Sequence, residues 1–259
     1  MSEPLVLLPG LMCDARLFGP QIAALSGTYS LHLPAPPAGE TIPEMAAQVL
    51  EQAPPRFSLA GHYLGGMVAM EVMRQAPERV ARLCLMDTSC LAETPPAAAA
   101  REPRLIMAKS GRLADALRED LGPDQLAQTP ARMDVLAQFM NMAMEQGPEV
   151  YVRQIKAIQR RPDQQATLRK LRDLPVLILC GAEDGVSPPR RHEFMAALIP
   201  GAKLAMIEGA GHLPTLERPD AVVHALREWL SWVPLPRRVP GGLATRPATP
   251  PPPPPRSGR

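Results

Sequence analysis

A tyrosine, an aspartate and a histidine stand in sequence contexts that could support nucleophilic or acid-base chemistry. Tyr63 lies within GHYLGG, Asp184 ends GAED, and His212 ends GAGH. A carboxylate that orients an imidazole turns the imidazole into a general base, and the base can then activate a hydroxyl group or a water molecule. We therefore take Tyr63, Asp184 and His212 as the candidate catalytic residues.

Glycines flank the tyrosine at the spacing typical of a tight turn from a strand into a helix. Gly61 and Gly65 stand on either side of Tyr63, each separated from it by one residue. In such a turn the central residue has a strained backbone, and the flanking positions must be small because strand and helix approach closely. The pattern predicts a nucleophile elbow with Tyr63 at its centre.

Backbone N–H groups next to this turn are candidates for binding a negatively charged oxygen. The segment LPGLM follows the first apolar run, and its glycine permits a turn that points a backbone N–H inward. Together with the N–H of Leu64, such a donor would form an oxyanion hole. Leu11 and Met12 are both candidate donors, and the sequence does not choose between them.

The elements that would position these residues follow from an alternation of short apolar runs and amphipathic segments. The runs predict strands at residues 5–8, 30–33, 57–60, 82–86, 176–180 and 204–207, and the segments predict helices at 15–25, 43–52, 64–74, 190–198 and 221–232. Strands this apolar, separated by helices, belong in a mostly parallel sheet covered on both faces, which is a three-layer αβα sandwich of the α/β class. Strand carboxyl ends converge on one edge of such a sheet, so the candidate residues should meet there.

The alternation breaks between residues 91 and 172, where no strand-like run occurs. Helical patterns rich in Met and Leu take its place, so we expect a helical lid inserted into a core made of residues 1–90 and 173–232. Most of the methionines should pack within the insertion, and a few should form a flexible apolar wall that suits an apolar ligand. Residues 233–259 are built mainly of Pro, Arg, Gly, Ala and Thr, and this composition predicts a disordered tail.

Composition and charge argue against several classes of protein. The chain has 259 residues, 46% of them hydrophobic, which is enough for one large domain. Its formal net charge is +2, but five arginines lie after Trp232, where no Asp or Glu occurs, so the body lacks the basic face that nucleic-acid binding needs. The four cysteines form no C-x-x-C pair, so neither a zinc site nor a redox motif is indicated. No basic segment precedes a long apolar run, and we therefore expect no membrane span and a cytoplasmic protein.

Taken together, these motifs resemble those of the α/β-hydrolase superfamily, in particular its small, lid-bearing serine ester hydrolases. The resemblance extends over roughly residues 4–232, and the order of elbow, acid and histidine is the order that this fold uses. It implies hydrolysis of a small apolar acyl or aromatic ester, with no cofactor and no metal. The partner implied is a small-molecule substrate, and a homo-oligomer is left open.

The nucleophile position departs from this family, because serine esterases have a serine where this chain has Tyr63. The tyrosine oxygen lies at the end of a rigid ring, several ångströms farther from the backbone than a serine oxygen. It would overshoot the space between His212 and the oxyanion donors, and the ring would occupy room needed by the substrate. We therefore expect ordinary ester hydrolysis to be weakened or altered.

Three interpretations remain open on the sequence alone. In the first, His212 activates a water molecule and weak ester hydrolysis persists. In the second, the protein is a pseudo-hydrolase that binds a ligand without turnover. In the third, Tyr63 donates a proton in a cofactor-free lyase-type reaction in which the His212 and Asp184 pair is the base. Asp87, which follows the predicted strand at 82–86, is a second candidate for the triad acid.

Overall fold

A parallel sheet of six strands forms the centre of the protein. The computed structural model describes residues 3–35 and 38–233. Within these ranges the strands are β1 (Leu5–Leu8), β2 (Leu31–His32), β3 (Phe57–His62), β4 (Val80–Met86), β5 (Val176–Gly181) and β6 (Lys203–Ile207). They lie in the order β2-β1-β3-β4-β5-β6, and every neighbouring pair is parallel. The predicted parallel sheet is therefore confirmed.

Helices cover both faces of this sheet. In the described part of the chain they are α1 (Gly19–Leu25), α2 (Ile42–Gln52), α3 (Leu64–Gln75), α4 (Pro95–Ala99), α5 (Glu102–Lys109), α6 (Leu113–Asp120), α7 (Arg132–Gln159), α8 (Gln165–Arg169), α9 (Pro189–Leu198), α10 (Pro214–Glu217) and α11 (Pro219–Ser231). Helix α1 packs against α11, and α2 packs against α3. The predicted three-layer α/β sandwich is confirmed.

Burial explains why the apolar runs form strands. All residues of β1, β3 and β5 are buried, as expected for strands that have helices on both faces. Strand β6 lies at the edge of the sheet, and its first two residues are exposed. Strand β3 runs two residues beyond its predicted end, because its ladder with β4 continues until His62 pairs with Met86.

The strand order fixes where a ligand site can form. The chain moves from β1 outward to β2, then returns to the other side of β1 to form β3. In open α/β sheets the crevice at such a reversal, beyond the carboxyl ends of the strands, is the usual ligand site. The loop after β1, with Leu11 and Met12, and the turn after β3, with Tyr63, flank this crevice.

Helices α4 to α8 make up the segment between β4 and β5, and residues 91–172, all of which the structure describes, contain no strand. Helix α7 is interrupted at Gly147, where φ is 81°, immediately before Pro148. The methionines of this segment have different environments. Met142 is fully buried, whereas Met133 is 60% and Met144 is 48% exposed. The methionines of the insertion are therefore not uniformly packed within it.

Two further expectations concern the ends of the chain and the membrane. The predicted disordered tail, residues 233–259, lies outside the described residues from position 234 onward. Among the helices of the described ranges, none combines the length and the apolar character needed to span a bilayer.

Candidate active site

Tyr63 occupies a sharp turn between β3 and α3. It is the single residue between them, and its φ of 43° and ψ of −104° lie in a region that side chains rarely adopt. The turn is held by the Tyr63 N–H, which donates to the Met86 carbonyl oxygen at 2.9 Å. The Thr88 hydroxyl donates to the Tyr63 carbonyl oxygen at 2.7 Å. This is the strained geometry expected of an elbow.

The glycines next to Tyr63 are required by close backbone contacts. A Cβ at Gly61 would collide with the carbonyl oxygen of Gly65. A Cβ at Gly65 would collide with the carbonyl oxygen of Leu8, at the end of β1. Both positions therefore need glycine for space rather than for a positive φ.

His212 and Asp184 form a buried pair beyond the ends of β5 and β6. The His212 Nδ1 lies 3.0 Å from both carboxylate oxygens of Asp184. Asp184 Oδ1 also accepts N–H bonds from Val186 at 2.8 Å and from Ser187 at 2.9 Å. Burial acts to raise the pKa of Asp184, but the imidazole and these N–H groups outweigh it and lower the pKa. The ionised carboxylate fixes the proton on Nδ1 and leaves Nε2 as an acceptor.

Tyr63 meets His212 with its ring and not with its hydroxyl group. The two rings are in edge contact, with centroids 4.9 Å apart and planes at 83°. The phenol oxygen instead accepts a hydrogen bond from Arg101 Nη2 at 3.3 Å. Among the described residues, no hydrogen bond joins the side chains of Tyr63 and His212. The phenol oxygen thus reaches past the imidazole to the helical insertion.

These groups face a common cavity of about 190 Å³. The sheet side contributes Leu11, Tyr63 and His212, and the insertion contributes Arg101, Arg104 and Phe139. The three predicted catalytic side chains come together here, although they are far apart in the sequence. Tyr63 and His212 line the cavity, whereas Asp184 lies behind His212 and does not. No methionine lines this cavity in the part of the chain that the structure describes.

The two candidate oxyanion donors after β1 differ in their hydrogen bonds. The Met12 N–H donates to the side-chain oxygen of Gln154, on α7, at 2.8 Å, so it is already occupied. Leu11 N–H and Leu64 N–H have no hydrogen-bond partner within residues 3–35 and 38–233. The geometry removes Met12 as a free donor and leaves Leu11, with Leu64, as the candidate pair.

Asp87, the second candidate for the triad acid, makes different contacts. Its Oδ1 accepts the Gly181 N–H at 2.9 Å, and its Oδ2 lies 4.0 Å from His62 Nε2. Burial and the nearby charge of Asp184 raise the pKa of Asp87 well above the usual value, which favours its protonated form. Asp184, and not Asp87, is hydrogen-bonded to His212.

A cluster next to this site contains atom types that bind metals, but in the wrong protonation state. Asp87, Cys180 and His192 bring their donor atoms within 4.8 Å of one another, and all three are buried. Burial raises the pKa values of the Asp87 carboxyl and the Cys180 thiol, and the Cys180 Sγ lies 3.0 Å from the Gly181 carbonyl oxygen as a donor. A metal needs deprotonated ligands, so this cluster does not fit one.

Two residues support His212 in ways that the motifs did not specify. His62 Nε2 donates to the His212 carbonyl oxygen at 2.8 Å, and burial together with His212 lowers the pKa of His62 to about 3, so His62 stays neutral. The Glu217 carboxylate accepts N–H bonds from Gly211 at 2.9 Å and from Leu213 at 2.8 Å, on either side of His212. In the sequence, these supporting roles are indicated only by position, since His62 directly precedes Tyr63 and Glu217 lies five residues after His212.

Arg101 is one of the residues of this site that the sequence did not predict. It stands directly before α5 in an Arg-containing surface-like segment, AREPR, and no spacing distinguishes it from other arginines. Only the folded insertion brings its guanidinium to the Tyr63 hydroxyl group.

Comparison with known families agrees with this arrangement. A family model described as "Alpha/beta hydrolase family" matches residues 5–225, from β1 into α11. This chain belongs to the alpha/beta hydrolase family. The predicted superfamily is therefore confirmed for this hydrolase, and its elbow, acid and histidine follow the family order.

Curated relatives of the hydrolase carry esterase names. A protein of Edwardsiella ictaluri named pimeloyl-[acyl-carrier protein] methyl ester esterase is 31% identical over 247 residues, covering 88% of this chain and 93% of the relative. A protein of Aromatoleum aromaticum with the same name is 29% identical over 227 residues, covering 83% and 87%. At the family level, the hydrolase is thus an esterase-like enzyme.

Solved structures agree with the fold. A thermophilic esterase from Thermogutta terrifontis superposes with a TM-score of 0.79 at 26% identity, covering 89% of this chain and 90% of that one. An enol-lactonase from Burkholderia xenovorans LB400 has a TM-score of 0.78 at 22% identity, covering 90% and 92%, and it supports the fold alone.

Proposed function

We propose that this hydrolase is a weak carboxylic ester hydrolase in which His212, oriented by Asp184, activates a water molecule. The observation that carries the proposal is the bidentate contact of Asp184 with His212 Nδ1, which leaves Nε2 as a base on a cavity. The unpaired N–H groups of Leu11 and Leu64 supply donors for a developing oxyanion. Activated water and an oxyanion hole together suffice for slow hydrolysis without a covalent intermediate.

Several contacts argue against Tyr63 as a nucleophile. Its oxygen is bonded to Arg101, and its ring edge faces the imidazole of His212. In that arrangement His212 has no path to accept the phenol proton directly. Removal of the nucleophile from a serine hydrolase costs about 10⁶ in turnover and leaves about 10³ to 10⁴ over water from the remaining groups. We therefore expect residual activity of that order.

The proposed substrate is a small ester with an apolar acyl or aromatic part. Leu11, Leu121, Phe139 and Leu213 line the cavity and would contact that part. The esterase names of the relatives, which refer to a methyl ester of an acyl group, support a small alkyl ester.

A direct test is to assay p-nitrophenyl acetate and butyrate with the protein as it stands and with Tyr63→Ser. We expect the serine variant to gain at least about a hundredfold in kcat/KM, because serine supplies a nucleophile within reach of His212. Tyr63→Phe is the matched control and should gain nothing. His212→Ala in the serine background should remove the gain. A folded Tyr63→Ser protein without any gain would contradict the proposal.

One observation favours a second candidate, a ligand-binding protein without turnover. The buried Tyr63 ring, fixed by Arg101, takes up room in which an acyl group would lie in a serine esterase. This second candidate is favoured if neither the unmodified protein nor Tyr63→Ser hydrolyses an ester above a His212→Ala control while a ligand still binds. A lyase-type reaction would use the same base, but no contact of the described residues favours it over hydrolysis.

A further inference from the structure

The insertion adds charged side chains to a cavity wall that the sequence predicts to be apolar. Arg101 immediately precedes α5 and Arg104 lies in its first turn, so both point from the start of one helix to the same place. Asp120, at the end of α6, is the only acidic residue among the cavity-lining residues of the described chain. The side chain of Arg101 is 14% exposed and that of Arg104 is 20% exposed, so both charges are largely removed from water.

The charges around this wall do not balance. Arg101 pairs with Glu93 at 3.2 Å and with Asp120 at 3.8 Å, and Arg104 pairs with Asp120 at 3.3 Å. Arg161 also pairs with Glu93. Within ion-pair distance, three guanidinium groups thus share two carboxylates in the described part of the chain, so the pairs do not match one to one.

Unused hydrogen-bond capacity accompanies the unbalanced charge. Within the described residues, the Arg104 Nε is buried and has no partner. The Tyr63 oxygen accepts from Arg101, so the Tyr63 hydroxyl proton is free to be donated to a third group. Burial also raises the pKa of Asp120, which weakens this carboxylate as a permanent counter-ion. A buried cation whose hydrogen-bond donors are only partly used is destabilising. An anion bound at this place would accept from the unused donors and relieve that cost.

We propose that Arg101, Arg104 and the Tyr63 hydroxyl group form a subsite for a ligand carboxylate. A carboxylate fits better than a bulkier anion, because the planar guanidinium fork matches two coplanar oxygens and the cavity is only about 190 Å³. The Tyr63 ring spans the gap from His212 to Arg101, so the reacting carbonyl and the carboxylate are a few carbon atoms apart. The ligand class is therefore a short dicarboxylic acid. If the proposed ester hydrolysis holds, on which this step rests, the substrate class is the half-ester of such an acid.

Binding can be measured without any turnover. Isothermal titration of the unmodified protein with glutarate and succinate should show one site, whereas the neutral glutaramide should not bind. Arg104→Gln should weaken diacid binding about tenfold to a hundredfold, the size of a lost charge-assisted hydrogen bond. The control is Arg118→Gln, an exposed arginine of the same insertion that pairs with Asp115, and it should bind glutarate unchanged.

Folding and specificity need their own controls. Arg104→Lys keeps the positive charge but not the planar guanidinium group, so it should bind glutarate with an affinity between those of the unmodified protein and Arg104→Gln. Circular dichroism of Arg104→Lys and Arg104→Gln would show whether either variant is misfolded. Inorganic phosphate that binds as tightly as glutarate would overturn the assignment to carboxylates. The absence of binding by every diacid tested would overturn the subsite itself.

Turnover then separates this proposal from the one it extends. The Tyr63→Ser protein loses the Tyr63 hydroxyl group of the subsite but keeps Arg101 and Arg104, so monomethyl glutarate should still have a higher kcat/KM than dimethyl glutarate. Arg104→Gln in this background should lower that ratio. Diacid binding without any hydrolysis by Tyr63→Ser would mean that the ester hydrolase proposal fails and the subsite stands. Ester hydrolysis with no diacid binding and no preference for the half-ester would mean that the ester hydrolase proposal stands and the subsite proposal fails.

Discussion

Two buried carboxyl groups lie beside the histidines of the site, and their surroundings shift them in opposite directions. Asp184 is bonded to an imidazole and to two backbone N–H groups, which lower its pKa despite burial. Asp87 is fully buried and has Asp184 as a neighbour, so its pKa is raised. Because two adjacent carboxylates repel each other, one group holds the charge and the other holds a proton. These opposite shifts favour Asp184 over Asp87 as the candidate triad acid.

The raised pKa of Asp87 makes a prediction about stability. A group whose pKa is raised in the folded state contributes stability at low pH and loses it as the pH rises above the unfolded value. Asp87→Asn removes this loss and keeps the oxygen that accepts the Gly181 N–H. We expect the Asp87→Asn protein to have a higher free energy of unfolding at pH 7.5 than the unmodified protein, because its buried amide carries no cost of keeping a carboxyl group protonated.

Urea unfolding of the Asp87→Asn protein at several pH values from 4 to 7.5 would measure this effect. The difference from the unmodified protein should shrink toward pH 4, near the unfolded value. Asp115→Asn, at an exposed aspartate, is the control and should show no comparable pH dependence. An Asp87→Asn protein that is less stable at neutral pH would contradict the protonated state.

The Asp184 and His212 pair makes a prediction about activity. An amide at position 184 can donate to His212 Nδ1, which moves the ring proton to Nε2 and removes the base. In the Tyr63→Ser background we expect Asp184→Asn to lower kcat by about 10⁴. Steady-state assays with a p-nitrophenyl ester would measure it. A loss of less than tenfold in a folded protein would show that Asp184 does not set the tautomer.

At the scale of single elements, the contact between β1 and α3 determines whether the elbow can form. The missing side chain at Gly65 lets the helix approach the Leu8 carbonyl group. Gly65→Ala forces the two apart, and we expect a loss of at least about 2 kcal/mol in the free energy of unfolding, as for other overpacked sites. Gly19→Ala, at the start of α1, has nothing within 4 Å and a φ of −47°.

Thermal unfolding followed by circular dichroism would compare the two glycine variants. Gly19→Ala should be neutral or slightly more stable, because alanine restricts the unfolded chain. If both variants lose stability equally, the close contact at Gly65 is not the cause.

The elements also show what the sequence could and could not predict. Apolar runs located the fully buried strands β1, β3 and β5, because strands covered on both faces must be apolar along most of their length. The end of β3 was predicted too early, since His62 joins the sheet through a pairing with Met86 on another strand. The Asp184 and His212 contact followed from two loops at the same sheet edge. The bond from Met12 to Gln154 spans 142 positions and has no local signal.

The charged wall of the cavity was missed for a related reason. Sequence composition gave an insertion rich in methionine and leucine, and the apolar side chains do pack within it. Where Arg101 and Arg104 lie depends on how α5 docks on α6 and α7, and a pattern within one helix does not contain this information.

At the scale of the whole molecule, the insertion and the sheet share hydrogen bonds at the candidate site. The His212 N–H donates to the Gln125 carbonyl oxygen at 2.9 Å. The Ala127 N–H donates to the Glu217 carboxylate at 2.7 Å, the same group that holds the loop around His212. The Gln164 side chain donates to Glu71, on α3, at 2.7 Å. These contacts bind the helical insertion to the core instead of leaving it as a separate unit.

We therefore expect the insertion and the core to unfold together, and Glu217 to be important for that cooperativity. The chain has two tryptophans, Trp229, which is buried in α11, and Trp232, which packs against the core, so their fluorescence reports on the core. Far-UV circular dichroism also includes the helices of the insertion. The two signals should give one coincident transition in urea. An insertion that melts first in the unmodified protein would contradict the expectation.

Glu217→Gln should weaken this connection because an amide has one acceptor oxygen, whereas the carboxylate uses both oxygens to accept three N–H groups. The amide NH₂ would then face backbone donors, so at least one buried N–H loses its partner, at a cost of about 1 to 3 kcal/mol. Glu228→Gln is the matched control, because Glu228 makes an exposed pair with Lys203 and such pairs contribute about 1 kcal/mol or less. If Glu217→Gln separates the two transitions and Glu228→Gln does not, the loop around His212 also couples the unfolding of the insertion to that of the core. Equal, small effects of both variants would assign the cooperativity to apolar packing alone.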